Sequence, residues 1–241
     1  MASVLVTGAT SGIGEALIRM LVKNNHHVIA CGRNQKKLDE LSNLGNIDIK
    51  AFDISDKQAV TNALSNVSAD IYVLNAGTCE YVDVNDIDAS MFERVFATNV
   101  FGISNIMSVI TKNLVKGNKV VFVDSLARLL PFTRSQAYGA SKAAVHYMAK
   151  SFAVDLAQYG VKVKTISPGF VKTPLTDKND FKMPMSISSE KAAAYMYKDL
   201  FNNKSTVYFP RRFSFTIRLL SALPDVFKHK ICLKMTNNGK V

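Results

Sequence analysis

A short apolar run, Ser3 to Thr7, leads into Gly8-Ala9-Thr10-Ser11-Gly12-Ile13-Gly14 and then into a helix pattern, Glu15 to Val22. Strand, glycine-rich turn and helix in this order form the context that a dinucleotide-binding turn requires. The glycines permit positive φ and remove Cβ atoms where a pyrophosphate must approach the backbone. The helix N-terminus offers free N–H groups and the positive end of the helix dipole. The spacing is Gly-x-x-x-Gly-x-Gly, not the commoner Gly-x-Gly-x-x-Gly. The same residues also read as a glycine-rich loop with no ligand.

The rest of the chain decides how this unit is used. Strands are expected near residues 3–7, 27–31, 47–52, 71–75, 119–124, 161–167 and 205–209, and helices near 12–24, 34–43, 56–65, 88–114, 134–159 and 188–202. Valine-rich, fully apolar strands alternating with helices mean a parallel sheet covered on both faces. Right-handed crossovers then predict an α/β fold, a Rossmann-type doubly wound sheet of about seven strands. A chain of 241 residues with 48% apolar residues can build this as one domain, expected over 1–209. Ligands of such sheets bind at the carboxyl ends of the strands, where Gly8, Asn75, Ser125 and Pro168 all fall.

Tyr138-Gly139-Ala140-Ser141-Lys142 puts a phenol and an ammonium at i and i+4, on one helix face. A free tyrosine has a pKa near ~10, and a fixed cation beside it favours the phenolate. With the glycine turn about 130 residues upstream, this pair resembles the short-chain dehydrogenase/reductase family. Further motifs carry the resemblance over residues 2 to about 209. Asn75-Ala76-Gly77 follows the strand Ile71 to Leu74. Asn99 stands at the family's catalytic asparagine. Ser125 lies thirteen residues before Tyr138. Pro168-Gly169 follows the strand Val161 to Ile166, with Thr173 beyond it.

The resemblance implies a catalytic set of Asn99, Ser125, Tyr138 and Lys142. Tyr138 would exchange a proton with a carbonyl oxygen while hydride passes to or from a nicotinamide. Ser125 would hydrogen-bond that oxygen, and Asn99 would hold a water linking Lys142 to solvent. Cofactor contacts are expected from Gly8, Thr10, Ser11, Gly12, Ile13 and Gly14, from Asn75, Ala76 and Gly77, from Tyr138 and Lys142, and from Pro168, Gly169 and Thr173. Asp53-Ile54 matches the family position that meets an adenine ring. At the end of the second strand, Cys31-Gly32-Arg33-Asn34 has no carboxylate for a ribose 2′-hydroxyl. Arg33 suits a 2′-phosphate instead, so NADP(H) is expected rather than NAD(H). The substrate would be a small-molecule carbonyl or alcohol. The alternative is an NADP(H)-binding sensor on the same fold, without turnover.

Two departures stand out. Asp124 occupies the place of a serine common in the family, and Arg128 that of a glycine. Arg128 reads either as a wall of the substrate pocket or as a surface arginine. Cys79, just after the Asn-Ala-Gly turn, reads as a plain small residue or as one that approaches the site. The three cysteines form no metal spacing or disulfide framework, no metal is expected, and no basic leader precedes the first strand, so a cytoplasmic protein is expected. No nucleic-acid motif accompanies the net charge of +11, and no nucleic-acid partner is expected. Surplus apolar residues on the helices near 88–114 and 134–159 predict a homodimer or homotetramer. Residues 210–241 form a basic amphipathic tail, with seven basic residues against the single acid Asp225. The tail reads either as a packing element on protein or as a peripheral membrane contact.

Overall fold

The strand Ser3–Thr7 (β1) is buried on both faces, with Val4 and Val6 packing to one side and Leu5 to the other. That two-sided burial is what a strand inside a covered parallel sheet requires. The computed structural model describes residues 1–177, 179, 181 and 183–238, the last three as backbone only. After β1 come Gly12–Lys23 (α1), His27–Gly32 (β2), Gln35–Ser42 (α2), Ile47–Ala51 (β3), Lys57–Leu64 (α3) and Ile71–Leu74 (β4). The second half holds Ala89–Phe96 (α4), Gly102–Ile110 (α5), Lys119–Val123 (β5), Gln136–Ala157 (α6), Lys162–Pro168 (β6), Val171–Lys172 (β7), Ile187–Ser188 (β8), Ser189–Leu200 (α7) and Thr206–Phe209 (β9). Arg211–Ser221 (α8) and Asp225–Asn238 (α9) follow.

The main sheet has seven strands in the order β3-β2-β1-β4-β5-β6-β9, all parallel. The chain winds outward from β1 to β3, then returns and winds the other way from β4. The switch point therefore lies between β1 and β4, where ligands of doubly wound sheets bind. On one face α1, α2 and α7 bury Leu17, Leu38 and Met196 against Val4, Val28 and Val121. On the other, α3, α5 and α6 bury Val60, Ile106 and Val145 against Leu5, Tyr72 and Phe122.

All seven expected strands form, with small shifts at their ends. β7 and β8 were not expected, because a two-residue pairing leaves no periodic signal. The single helix expected over 88–114 is interrupted by a π-turn at Ala97–Phe101. Such a turn inserts an extra residue into the helix, and here Asn99 within it is fully buried. α6 begins at Gln136 rather than 134, because Arg134 has φ +58°, outside the helical region. The tail forms two helices that share a small apolar cluster with the loop after β5, through Leu126, Leu130, Ile217 and Cys232. Lys240 lies outside the described residues. No helix among the described residues is long and apolar enough to cross a membrane.

Candidate active site

The glycine turn brings backbone against backbone at the switch point. Gly8 and Gly12 have φ of +69° and +56°, which L side chains rarely adopt. A Cβ on Gly8 would stand 2.9 Å from the Ala76 Cα, and one on Gly14 would collide with the Gly8 carbonyl oxygen. Thr7 ties the ends of β1 and β4: its Oγ1 accepts from the N–H groups of Asn75 (3.0 Å) and Ala76 (3.1 Å). Asn75 Nδ2 returns a bond to the Thr7 carbonyl at 3.1 Å. Ser11 caps α1 without a side-chain hydrogen bond, so the cap serine leaves the first-turn N–H groups unengaged, the arrangement that favours an anion.

At the outer end of the crevice, Arg33 Nη1 lies 3.2 Å from Asp53 Oδ2, with the arginine side chain 75% exposed. Burial raises the Asp53 pKa, but two hydrogen bonds from Ser55 and the Arg33 guanidinium outweigh it and hold the carboxyl below its usual range. Ile54 turns its side chain inward against Gly102, and its carbonyl accepts from Asn105. Of this group, Arg33 and Asp53 present exposed polar atoms. Thr10 packs its methyl against Gly32.

The remaining expected residues converge. Gly8, the turn from Ser11 to Ile13, the Asn75–Gly77 turn, Ser125, Tyr138, Lys142 and the Pro168–Gly169–Thr173 segment border one cavity of about 170 Å³. Asn99 sits just behind it. Its Nδ2 donates to the Thr78 carbonyl and to Ser141 Oγ, both at 2.9 Å, and its Oδ1 accepts from Thr78 N–H at 2.7 Å. A Cβ on Gly77 would lie 3.0 Å from Asn99 Oδ1 and 3.2 Å from Lys142 Nζ. The bare glycine thus lets both groups approach the Asn75–Gly77 turn closely. Lys142 Nζ donates to the Val123 carbonyl at 3.0 Å and lies 5.9 Å from the Tyr138 ring centroid. A larger hollow of about 670 Å³ lies between the 127–136 loop and α9, but none of the four expected catalytic residues borders it.

The electrostatics differ from the simple tyrosine–lysine picture. Burial pushes the Tyr138 phenol well above its ordinary value, and only the Ser125 hydroxyl, which hydrogen-bonds it, pulls the other way. The lysine does not offset this, since its ammonium is turned toward Val123. Tyr138 is therefore protonated at neutral pH. Burial lowers Lys142 to about 8, against the opposing pull of Asp124. Cys79 stands at the site beside Tyr138 and Lys142. Burial raises its thiol to about 11, so it is neutral there.

Both readings of Arg128 give way to a third. Its side chain is nearly buried, with Nε 3.0 Å from Asp124 Oδ2. His146 Nδ1 approaches the same oxygen at 2.6 Å. The two departures from the family pattern thus answer each other: a buried carboxylate needs a buried cation. Thr7, Ser141 and His146 escaped the sequence reading as site residues, and Asp124 entered it only as a departure from the family pattern. Thr7 had a signal, a polar residue closing an apolar strand just before the glycine turn. His146 had none, because nothing local links it to Asp124.

From Phe213, which packs on Gly169, a row of rings runs to Tyr81. Tyr81 and Phe181 centroids are 5.5 Å apart, Phe181 and Phe170 6.1 Å, and Phe170 and Phe213 5.5 Å. Tyr81 donates to Asn179 Oδ1 at 2.6 Å, and the Arg134 guanidinium lies 5.6 Å from its ring centroid. No group of three or more His, Cys, Asp or Glu among the described residues could hold a metal ion.

A glycine turn, a strand-end serine and a helical Tyr–Lys pair share one cavity. A family model described as short chain dehydrogenase matches residues 2–183. An uncharacterised oxidoreductase of Staphylococcus epidermidis is 30% identical over 198 residues, covering 78% of this chain and 86% of its own. A probable NADP-dependent dehydrogenase of Haemophilus influenzae is 33% identical over 175 residues, 68% of this chain and 69% of its own. Among solved structures, serine dehydrogenase in a closed form complexed with NADP+ matches with a TM-score of 0.76 at 26% identity, over 86% of this chain and 94% of that one. On these matches, the chain belongs to the short-chain dehydrogenase/reductase family of oxidoreductases.

Proposed function

We propose that the protein transfers a hydride between NADP(H) and a carbonyl or secondary-alcohol substrate, with Tyr138 as general acid and base. The observation that carries this reading is the convergence of Ser125, Tyr138 and Lys142 on one cavity that opens onto the glycine turn. The residues fit the cofactor: Cβ atoms on Gly8 and Gly14 would collide with the backbone of Ala76 and of Gly8, so glycines let the turn close tightly at the switch point, with Gly8 and Ser11 to Ile13 on the cavity wall. Ser11 to Gly14 would hold the pyrophosphate, Arg33 the 2′-phosphate and Asp53 the adenosine end. Lys142 would meet the nicotinamide ribose, and Pro168, Gly169 and Thr173 would flank the ring. The NADP+ of the serine dehydrogenase and the name of the Haemophilus relative support NADP.

When bound, the cofactor supplies the hydride. The side chains handle the proton. In reduction, the protonated Tyr138 gives its proton to the substrate oxygen as that oxygen gains negative charge. Ser125 donates a second hydrogen bond to the same oxygen and stabilises the developing charge. Proton return to Tyr138 runs by way of Lys142, with Asn99 as the residue that would hold a relay water between Lys142 and solvent. In alcohol oxidation the same groups work in reverse. A screen of aldehydes and ketones, read as loss of NADPH absorbance, tests the reading. NADPH binding without turnover on any carbonyl would overturn it.

Assembly and place follow as part of the same proposal. Val95, Ile103 and Val145 of α4–α6 are buried within the chain. Phe101, Tyr147 (77% exposed) and Val154 (76%) are left outside, which favours a homodimer or homotetramer through these helices. A monomer in light scattering at micromolar concentration would refute that. A cytoplasmic location, inferred from the absence of a disulfide framework, is tested by cell fractionation.

A further inference from the structure

The tail helix α8 has two unlike faces. Ser214 and Ile217 are buried, and Phe213 and Leu220 pack beside them in the cluster that contains Leu126 and Leu130. On the opposite face Phe215 (66% exposed), Leu219 (60%) and the exposed Ala222 form one stripe at i, i+4 and i+7. Arg211 and Arg218 flank this stripe on one side and Arg212 on the other, and α8 contains no acid. Arg218 is held at the edge by stacking on the Tyr208 ring at 4.5 Å. Val226 and Phe227 in α9 are exposed as well, and so are Lys230 and Lys234 of the same helix.

Charge decides what covers this face. A second copy docked on it about a two-fold axis would set Arg211, Arg212 and Arg218 against themselves, with only Asp225 to offset them. A bilayer with anionic headgroups meets both needs. Apolar side chains enter the interface, and guanidinium and ammonium groups meet lipid phosphates.

The inner face of the same helix reaches the site. Phe213 packs on Gly169, which borders the cavity of Tyr138 and Ser125, and on Phe170, from which the row of rings runs to Tyr81. We propose that α8 and α9 dock on an anionic membrane surface and that the substrate is a lipophilic ketone, aldehyde or secondary alcohol drawn from that surface past Phe213. The substrate half rests on the hydride-transfer function proposed above.

The test uses the full chain and a variant carrying Phe215→Glu and Leu219→Glu, both on the exposed face. Flotation with vesicles of phosphatidylcholine and phosphatidylglycerol, against phosphatidylcholine alone, reads docking. The full chain should float with the anionic vesicles, release as salt rises, and lose binding by about tenfold or more in the variant. Failure of the full chain to float at low salt, or unchanged flotation of the variant, overturns docking. Light scattering separates the rival occupant: a change of oligomer in the variant without vesicle binding by the full chain means a second copy covers the face. Turnover is then compared for a water-soluble ketone and for a long-chain ketone carried in the same vesicles. The variant should keep the soluble rate and its NADPH affinity, and lose about tenfold or more of the vesicle-borne rate. Equal effects on both rates overturn the substrate half. If neither ketone is turned over, the hydride-transfer reading fails together with the substrate half, while flotation still reports docking by itself.

Discussion

His146 Nδ1 lies 2.6 Å from Asp124 Oδ2, one helical turn beyond Lys142 and directly behind the serine that faces the cavity. Arg128 closes the other side of the same oxygen at 3.0 Å. The buried carboxylate is thereby held in place next to the group whose charge it supports.

That arrangement predicts a pH effect. Burial lowers Lys142 to about 8, and Asp124 opposes the fall. Lys142 thus carries its charge below about pH 8 and loses it above. Turnover of a ketone found in the screen should decline as pH rises through that region. Removing the opposing carboxylate with Asp124→Asn lowers the Lys142 pKa further, so the decline should begin at a lower pH. A pH–rate profile checks this, with thermal melting to confirm that the variant is folded. An unshifted profile would show that Asp124 serves packing alone.

The linked stability has a definite sign. The folded-state pKa of Lys142 lies below the ordinary lysine value of 10.5. The penalty for burying its ammonium is fully present below about pH 8 and is relieved as pH rises from there toward 10.5. Lys142→Met removes that penalty. The gain in melting temperature over the unmutated, cofactor-free protein should be larger at pH 7 than at pH 10.

Tyr138→Phe removes the proton donor and leaves the ring. Turnover should fall by about 10²- to 10⁴-fold, with NADPH affinity nearly unchanged in fluorescence titration. Near wild-type turnover would remove Tyr138 from the proton step.

Arg33→Ala should weaken NADPH far more than NADH, because only NADPH carries the 2′-phosphate. A charge-assisted pair is worth roughly 1.5–3 kcal/mol. The lower end applies here, since the side chain is 75% exposed and already shares Asp53. Titration of both cofactors into both proteins measures the difference. Equal affinity of the unmutated protein for the two would sink the NADP assignment.

Gly8→Ala forces a Cβ to within 2.9 Å of the Ala76 backbone at φ +69°. Strain of this kind costs about 1–3 kcal/mol. Denaturant melts should show that loss, together with weaker NADPH binding from a displaced turn.

The linear chain determined the features that repeat with a local period. Apolar runs such as Val120–Val123 declared the strands, the glycine turn declared the switch point, and Tyr138 and Lys142 share a face because a helix brings i and i+4 together. Through-space pairings followed only from the packing of distant elements. The π-turn that draws Asn99 into the interior brings it to Ser141, 42 residues away. Asp124 finds His146 only because β5 and α6 pack together. Which face of α8 meets Leu126 and which is left to solvent was likewise undecided in the sequence, where the tail's apolar and basic residues fit either reading. A residue's periodicity is written in its neighbours along the chain. Its burial and its charge partners depend on where the sheet places the other elements, and that is why Arg128, read as pocket wall or surface, proved to be the buried counterion of Asp124.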